Sequence, residues 1–349
     1  MKLSKTFSAA CFAFGAACLS AHAQVTFNGS VSTDYGTAGN WSSNSVPNLT
    51  TGITAQIANG SAVNYAAGTD VGDLLISNGG ELELTNGSWT QTGNNNWIQL
   101  QGNGTILVNG GTLNQGTSGN SPFNVSGTGN AFTITSGAAN FNSLNEGNSV
   151  TFNINGGTVT DANGTVVIQG TTVYDQTAGS FSDSGSININ NTGTFLLAGG
   201  TFTSSGEFDF NGANSTISGG ILNVPLLTGV NSANLGVFTV SGGLINVSGG
   251  TGIYAPSSTT PINFTLNSTG EINFEGVSAS TVQGFLSSGG IEDAGTINPS
   301  AFVVTSTGAN SATVALVAAA PEPSTYVMFG LGFAALLFGM RRRSASVRL

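Results

Sequence analysis

Residues 149–157 read SVTFNINGG, and this short stretch contains the pattern that decides the fold. Apolar Val150, Phe152 and Ile154 alternate with polar residues, and a pair of glycines ends the run. Alternation with a period of two is typical of a strand that buries one face. Similar stretches occur at three other places: GTILVNGG at 104–111, GTFLLAGG at 193–200 and GVFTVSGG at 236–243. The sequence therefore predicts an all-β protein made of short strands and Gly/Asn-rich turns.

The glycine that ends each alternation recurs along the chain. Seven such positions lie 19 to 27 residues apart: Gly110, Gly137, Gly156, Gly179, Gly199, Gly219 and Gly242. A loose period of this length indicates a solenoid, in which each unit buries its apolar face against its neighbours. We therefore predict a parallel β-helix (β-solenoid) for a body spanning residues 24–300. A β-sandwich is the alternative architecture.

The end of this body has a different pattern. Residues 278–288 are expected to hold one short helix that ends at Gly289, and residues 301–318 read AFVVTSTGANSATVALVA, a closing alternation. Because the open end of a solenoid exposes unpaired strand edges, a cap is expected there. We predict a terminal β-hairpin or cap and linker over residues 301–320.

The charges are distributed very unevenly. The chain has six Lys and Arg residues, and all of them lie outside residues 24–320, as do its single His and both Cys. Fifteen of the sixteen acidic residues lie inside that range. Phosphate recognition requires basic side chains, so nucleic acid is not expected as a partner. Nucleophilic triads and His/Cys zinc sites are excluded as well.

Only carboxyl groups remain as candidates for catalysis, as in glycoside hydrolases. Five acidic pairs lie close together in the sequence: Asp70/Asp73, Glu81/Glu83, Glu207/Asp209, Glu271/Glu275 and Glu292/Asp293. We interpret them as solvated residues on exposed strand faces, and we expect no catalytic residue, no metal site and no cofactor. Three tryptophans could stack on sugar rings, but packing is the favoured interpretation: Trp41, Trp89 and Trp97.

The N-terminal residues 1–23 have the form of a secretory signal peptide. Two lysines precede an apolar stretch, and Ala21 and Ala23 form an A-x-A-like cleavage site before Gln24. The predicted route is export through the Sec translocon, with Gln24 as the first mature residue.

The C-terminal residues 321–349 combine three features in order. Pro321, Glu322, Pro323 and Ser324 form an extended break, because proline lacks the N–H that a strand or helix needs. Residues 325–340 form an uncharged run that is predicted to be a single transmembrane helix. A basic cluster then predicts a cytoplasmic C-terminus by the positive-inside rule: Arg341, Arg342 and Arg343.

These three features resemble the PEP-CTERM sorting signal of Gram-negative bacteria. The resemblance implies processing by an exosortase, a membrane transpeptidase, in cells that also export polysaccharide. The protein would be anchored in the inner membrane through 325–340 before processing, and would then reach the cell surface or the extracellular space. The repeats of the body also resemble, more diffusely, the β-helical stalks of autotransporter passenger domains.

Three functions follow as hypotheses. The leading one is an exported, non-catalytic protein of the cell surface or matrix, associated with exopolysaccharide or biofilm. The alternatives are a carbohydrate-binding adhesin, in which ladders of Thr and Asn contact glycan, and a polysaccharide-degrading enzyme that uses carboxyl groups alone on a β-helix scaffold.

Overall fold

The structure is a computed structural model. It describes residues 23–47, 53–66, 69–70, 73–91, 97–115, 123–142, 144–145, 149–162, 164–190, 192–210, 214–228, 238–249, 262–266 and 268–317.

The first strands in chain order are β1 (Ala23–Thr26), β2 (Ile53–Ile57), β3 (Ala62–Tyr65), β4 (Thr69–Asp70), β5 (Asp73–Ser77), β6 (Glu81–Leu84), β7 (Ser88–Thr90), β8 (Ile98–Gln101), β9 (Thr105–Asn114), β10 (Phe123–Ser126), β11 (Asn130–Phe141), β12 (Leu144–Asn145), β13 (Val150–Asp161), β14 (Val166–Ile168) and β15 (Val173–Asp183). The later elements are β16 (Ile187–Ile189), β17 (Thr194–Leu197), β18 (Thr201–Ser204), β19 (Phe208–Asp209), β20 (Asn214–Ile217), β21 (Ile221–Val224), β22 (Leu227–Thr228), β23 (Phe238–Val240), β24 (Leu244–Val247), β25 (Ile262–Phe264), β26 (Glu271–Glu275), α1 (Ala279–Ser287), β27 (Ile291–Asp293), β28 (Phe302–Gly308) and β29 (Ser311–Leu316). Short 3₁₀ turns lie at Ala38–Asn40 and Pro299–Ala301.

Strands β1 to β27 pair in parallel, each with the equivalent strand of the next coil. The chain therefore winds as a parallel β-solenoid, which confirms the predicted fold class. The β-sandwich alternative is wrong, because it requires packed antiparallel sheets, whereas the antiparallel strand pairs in the described residues are β26 with β29 and β28 with β29. The predicted domain boundaries, including the end of the body at residue 300, stay predictions.

Each coil contributes to three faces. The first face consists of β1, β2, β5, β8, β10 and β12, followed by β14, β16, β19 and β22. The second face contains β3, β6, β17, β20, β23, β25 and β27, and the third contains β4, β7, β18, β21, β24, β26 and β29. In the middle coils, β9, β11, β13 and β15 are long enough to run over both the second and the third face. The core is enclosed by the three faces.

The predicted repeat glycines lie at the corner between the second and third faces. Gly157 and Gly200 are the second glycines of the pairs that begin at the repeat positions Gly156 and Gly199. They have φ of +66° and +73°, a left-handed conformation that residues with a Cβ rarely adopt. The coils also approach closely there, since a Cβ on Gly199 would lie 2.1 Å from the carbonyl oxygen of Thr177 in the preceding coil. The Gly-Gly pairs therefore allow both the left-handed backbone conformation of the turn and the close stacking of successive coils.

Inward side chains of equivalent strands stack in columns along the axis. Phe132, Phe152, Tyr174 and Phe195 form one such column, with successive ring centroids 4.6, 6.0 and 5.0 Å apart and nearly parallel planes. All four residues are fully buried. Stacked rings add about 0.5–1.5 kcal/mol per pair to the free energy gained from burial. Because the body has no disulfide, these columns carry much of its stability.

The C-terminal end of the solenoid is covered by α1 and a hairpin of β28 and β29. The predicted helix is present: the Ser278 side chain accepts a hydrogen bond from the Thr281 backbone N–H, and Gly289 follows the helix with φ of +77°. Strand β29 pairs antiparallel to β26 and so covers the edge of the third face. Residues of the closing alternation therefore form the antiparallel hairpin of β28 and β29, and the predicted cap and linker over 301–320 stays a prediction.

Candidate functional site

An unbroken column of uncharged polar residues runs along the outer surface of the third face. Successive members are direct register partners from β7 to β29. We call this column the Asn/Thr ladder, and its ten residues are Thr90, Asn114, Asn140, Thr160, Ser182, Thr203, Asn223, Asn246, Asn273 and Thr313. Ser182 is exposed and the other nine are partly exposed, so the column is open to solvent.

Hydrogen bonds between neighbouring coils hold the ladder amides in place. In the later coils Asn246 Nδ2 donates to Asn223 Oδ1 at 2.8 Å, and Asn273 Nδ2 donates to Asn246 Oδ1 at 3.0 Å. Thr313 Oγ1 donates to Asn273 Oδ1 at its end. An asparagine amide offers two N–H groups and two acceptor lone pairs, so these bonds use only part of its capacity. The ladder is thus a pre-organised row of donors and acceptors repeated at the coil spacing of about 4.8 Å.

The acidic pairs predicted from sequence do not form a common site. Glu81 and Glu83 are half-buried on the outer side of β6, as predicted, and Asn109 Nδ2 donates to Glu83 Oε1 at 3.0 Å. Glu207 is exposed on the first face, far along the chain from β6. The interpretation as solvated residues is wrong for Asp73, which is 1% exposed and accepts the Trp97 backbone N–H at 2.8 Å. Its partner in the sequence, Asp70, has a side chain outside the described residues.

The remaining two pairs lie at the C-terminal end. Glu271 and Glu275 are exposed at opposite ends of β26, and Glu292 and Asp293 are neighbours in β27. The structure brings together Glu271 and Asp293, one from each predicted pair, because both line the same cleft. Sequence spacing could not reveal this juxtaposition, since β26 and β27 belong to different faces.

Two carboxyl groups that the sequence analysis did not select lie inside the solenoid. Asp161 and Asp183 are 2% and 1% exposed and are register partners in successive coils. Asp161 Oδ2 accepts the Leu144 backbone N–H at 3.2 Å. Burial raises the pKa of Asp183 from 3.8 to about 6; the nearby Asp161 raises it too, while hydrogen bonds from the Gly185 backbone and Ser204 oppose this. Because the two residues are 22 positions apart, no local sequence motif could identify them as a pair.

The tryptophans fall into two groups. Trp41 and Trp89 are fully buried, and both contact Tyr35 edge-to-face at the N-terminal end of the core. Trp41 Nε1 also donates to the Tyr35 carbonyl oxygen at 2.8 Å. These two are packing residues, as the favoured interpretation predicted, and cannot stack on a sugar. Trp97 is half-buried at the start of β8.

Most residues predicted to direct sorting fall outside the described residues: Ala21, Pro321, Glu322, Pro323, Ser324, Arg341, Arg342 and Arg343. Ala23 and Gln24 begin β1, where they pair with Ile53 and Thr54 of β2. No helix in the described part of the chain is long and apolar enough to cross a membrane, and the predicted span 325–340 lies outside that part. Nor do three or more His, Cys, Asp or Glu side chains of the described residues converge as metal ligands.

By its fold and surface the molecule is a parallel β-solenoid with an uncharged polar ladder on one face. The family model of the PEP-CTERM protein-sorting motif matches residues 319–343. This match includes the Pro-Glu-Pro sequence and the arginine cluster, and it implies an exported protein that is processed at the membrane by an exosortase. No curated protein and no solved structure matches the chain. The likeness of the repeats to autotransporter stalks stays a prediction.

Proposed function

We propose that this exosortase substrate is a non-catalytic protein of the cell surface or extracellular matrix, and that its Asn/Thr ladder binds neutral exopolysaccharide. The ladder is the observation that supports the proposal. Hydroxyl and amide groups repeat along one straight line at about 4.8 Å, a spacing close to the length of a sugar unit in an extended chain. An uncharged row of donors and acceptors suits sugar hydroxyls, which are donors and acceptors themselves.

Electrostatics favours a neutral glycan over an acidic one. The fifteen acidic residues between 24 and 320 have no Lys, Arg or His beside them in that range. An anionic polysaccharide would be repelled over most of the surface, whereas the ladder itself contains no charged side chain, and Glu271 and Glu275 flank it at Asn273. The same charge pattern keeps individual solenoids apart in solution.

We rank the enzyme alternative second. The carboxyl groups that the described residues bring together are Glu81 with Glu83 on the outer side of β6, Glu271 with Asp293 in one cleft, and Asp161 with Asp183, which are sealed inside the core. Catalysis of glycoside cleavage needs two carboxyl groups on either side of an accessible bond.

The binding test compares two variants in the same two coils. Asn223→Ala with Asn246→Ala removes adjacent ladder amides, whereas Thr216→Ala with Thr239→Ala removes adjacent polar groups on the second face. We expect the ladder variant to bind purified neutral exopolysaccharide roughly tenfold more weakly in sedimentation or biolayer assays, and the control to bind normally. Equal binding by both variants would refute the ladder as the glycan site.

The sorting part of the proposal has a separate test. Pro321→Ala with Glu322→Ala should leave the protein unprocessed in the inner membrane, because the exosortase would not recognise its signal. Cell fractionation and immunoblotting measure the size and location of the product. Normal maturation of this variant would contradict the assignment of the tail without affecting the ladder.

A further inference from the structure

A cleft of about 480 Å³ opens at the C-terminal end of the solenoid. One side consists of residues 266 and 268–270 and the start of β26, and the other consists of the end of β29 and the residue after it. The apolar part of the lining includes Leu266, Leu316 and Val317. Leu266 is 72% exposed and Val317 is 49% exposed, which places them among the few large apolar side chains of the described residues that face solvent.

Two carboxyl groups lie in the polar part of the same cleft. Asp293 pairs with Phe264 and so occupies an inward position at the open end of a core column. Its Oδ2 accepts a weak hydrogen bond from Asn298 Nδ2 at 3.4 Å, while its buried Oδ1 has no hydrogen-bond partner among the described residues. Glu271 lies at the exposed start of β26.

The chain cannot neutralise these carboxyl groups from within its body, because residues 24–320 contain no Lys, Arg or His. The volume is too large for a bare metal ion with its ligands, and it falls in the range of sites for organic ligands. Two carboxyl groups beside an apolar wall suit a side chain with a cationic head and a hydrocarbon stem. A guanidinium group matches best, since it donates up to five hydrogen bonds and pairs with carboxylates in a bidentate geometry.

We propose that this cleft is a docking site for an arginine-bearing segment of a partner polypeptide. The guanidinium group lies between Glu271 and Asp293, and apolar neighbours of the arginine pack on Leu266, Leu316 and Val317. The described residues of the lining include no aromatic ring on which a sugar could stack, so an amino sugar fits the cleft less well. The site goes beyond the proposed function, because it lies at the cap and binds a protein rather than a glycan.

The experiment titrates the full chain, purified in detergent, against fluorescently labelled Val-Arg-Leu-Arg-Val. A matched peptide carries citrulline, which has nearly the same shape without the charge, in place of arginine. We expect saturable binding of the arginine peptide, at least tenfold weaker binding of the citrulline peptide, and affinity that falls as salt is raised. Glu271→Gln with Asp293→Asn should lower the affinity at least tenfold. Glu81→Gln with Glu83→Gln removes the same charge from the second face and should leave it unchanged.

Three outcomes would overturn the proposal: equal affinity for both peptides, no saturable binding of either, or tighter binding of a glucosamine hexamer than of the arginine peptide. Leu266→Ser supplies a second variant if the double carboxyl variant does not fold, because the exposed position tolerates a polar residue. This substitution should lower the affinity for the arginine peptide about threefold. Unchanged affinity would count against the apolar part of the site.

Discussion

One inward column at the end of the third-face strands has opposite chemistry in two regions of the solenoid. In the middle coils it contains Asp161, Asp183 and Ser204, which are register partners. In the later coils the equivalent column contains Val247 and its partner Phe274, both fully buried or nearly so. The same backbone geometry therefore accepts buried carboxyl groups in one region and only apolar side chains in the other.

The difference lies in the backbone beside the column. In the middle coils the chain turns from the third to the first face through segments whose N–H groups donate to the column: Leu144 to Asp161, and Gly185 to Asp183. A buried N–H without a partner costs about 1–3 kcal/mol, so a carboxyl group there is useful despite its own desolvation. In the later coils the N–H of Gly249, at the position equivalent to Gly185, donates to the carbonyl oxygen of Pro225 in the preceding coil. No acceptor side chain is then required.

The largest expected effect comes from moving the polar chemistry into the apolar region. Val247→Asp places a carboxyl group at a fully buried position among Val224 and Phe274, where the corner N–H groups are already paired. We expect a loss of about 4 kcal/mol or more in the free energy of unfolding, measured by urea denaturation followed by circular dichroism. Val247→Thr, which is similar in size, is the control and should cost less than half as much. If Val247→Asp lowered the free energy of unfolding no more than Val247→Thr does, the proposed difference between the two regions would be contradicted.

The second prediction concerns the pH dependence of the middle coils. The pKa of Asp183 is raised from 3.8 to about 6, so between these values the folded state binds more protons than the unfolded state. The contribution of Asp183 to stability is therefore greatest below about pH 4, falls as the pH rises through this window, and is constant above about pH 6. The total fall corresponds to roughly 3 kcal/mol at most. Urea midpoints measured from pH 4 to 7 test it.

Asp183→Asn provides the matched comparison for this window. The amide keeps the shape of the side chain and an acceptor oxygen for the Gly185 N–H, but it does not titrate. We expect the difference between the wild-type and variant midpoints to change with pH only between about 4 and 6. A difference that is the same at pH 4 and pH 7 would show that Asp183 titrates normally.

The smallest expected effect compares two positions of the Asn/Thr ladder. Asn246 bonds to Asn223 and Asn273, whereas Ser182, in the middle coils, is exposed. Asn246→Ala should cost about 1–2 kcal/mol, since two hydrogen bonds are lost, and Ser182→Ala should stay within about 0.5 kcal/mol. Thermal melts of both variants decide the matter. Equal losses of stability in the two variants would mean that the ladder amides do not stabilise the fold and contribute only to glycan binding.

Much of the fold follows from local pattern. The alternation around Phe152 and the recurring glycines at Gly156 and Gly199 predicted a parallel solenoid, because strand period and turn conformation are both local properties. The helix before Gly289 was predicted for the same reason. The interpretation of Asp73 failed because it was based on residue type alone, and burial depends on what the neighbouring coil needs. Its carboxyl group accepts a backbone N–H from the next coil.

The ladder was expected only in kind. Ladders of Thr and Asn were part of the predicted adhesin alternative, but the alignment of Thr90 with Asn114, and so on to Thr313, depends on register. Along the ladder, the register offset between successive coils ranges from 20 residues, as between Asn140 and Thr160, to 27, as between Asn246 and Asn273. A fixed count along the sequence therefore does not give the partners.

The sequence alone determined the period of the strands, the positions of the turn glycines, the absence of basic side chains from residues 24–320 and the sorting motif at residues 319–343. The tertiary structure decided which polar residues share a column, that Asp161 and Asp183 are buried register partners in successive coils, and that Glu271 and Asp293 line one cleft. The physical reason is that turns and strands are specified by neighbouring residues, whereas contacts between coils join residues 17 or more positions apart through the stacking of the whole solenoid.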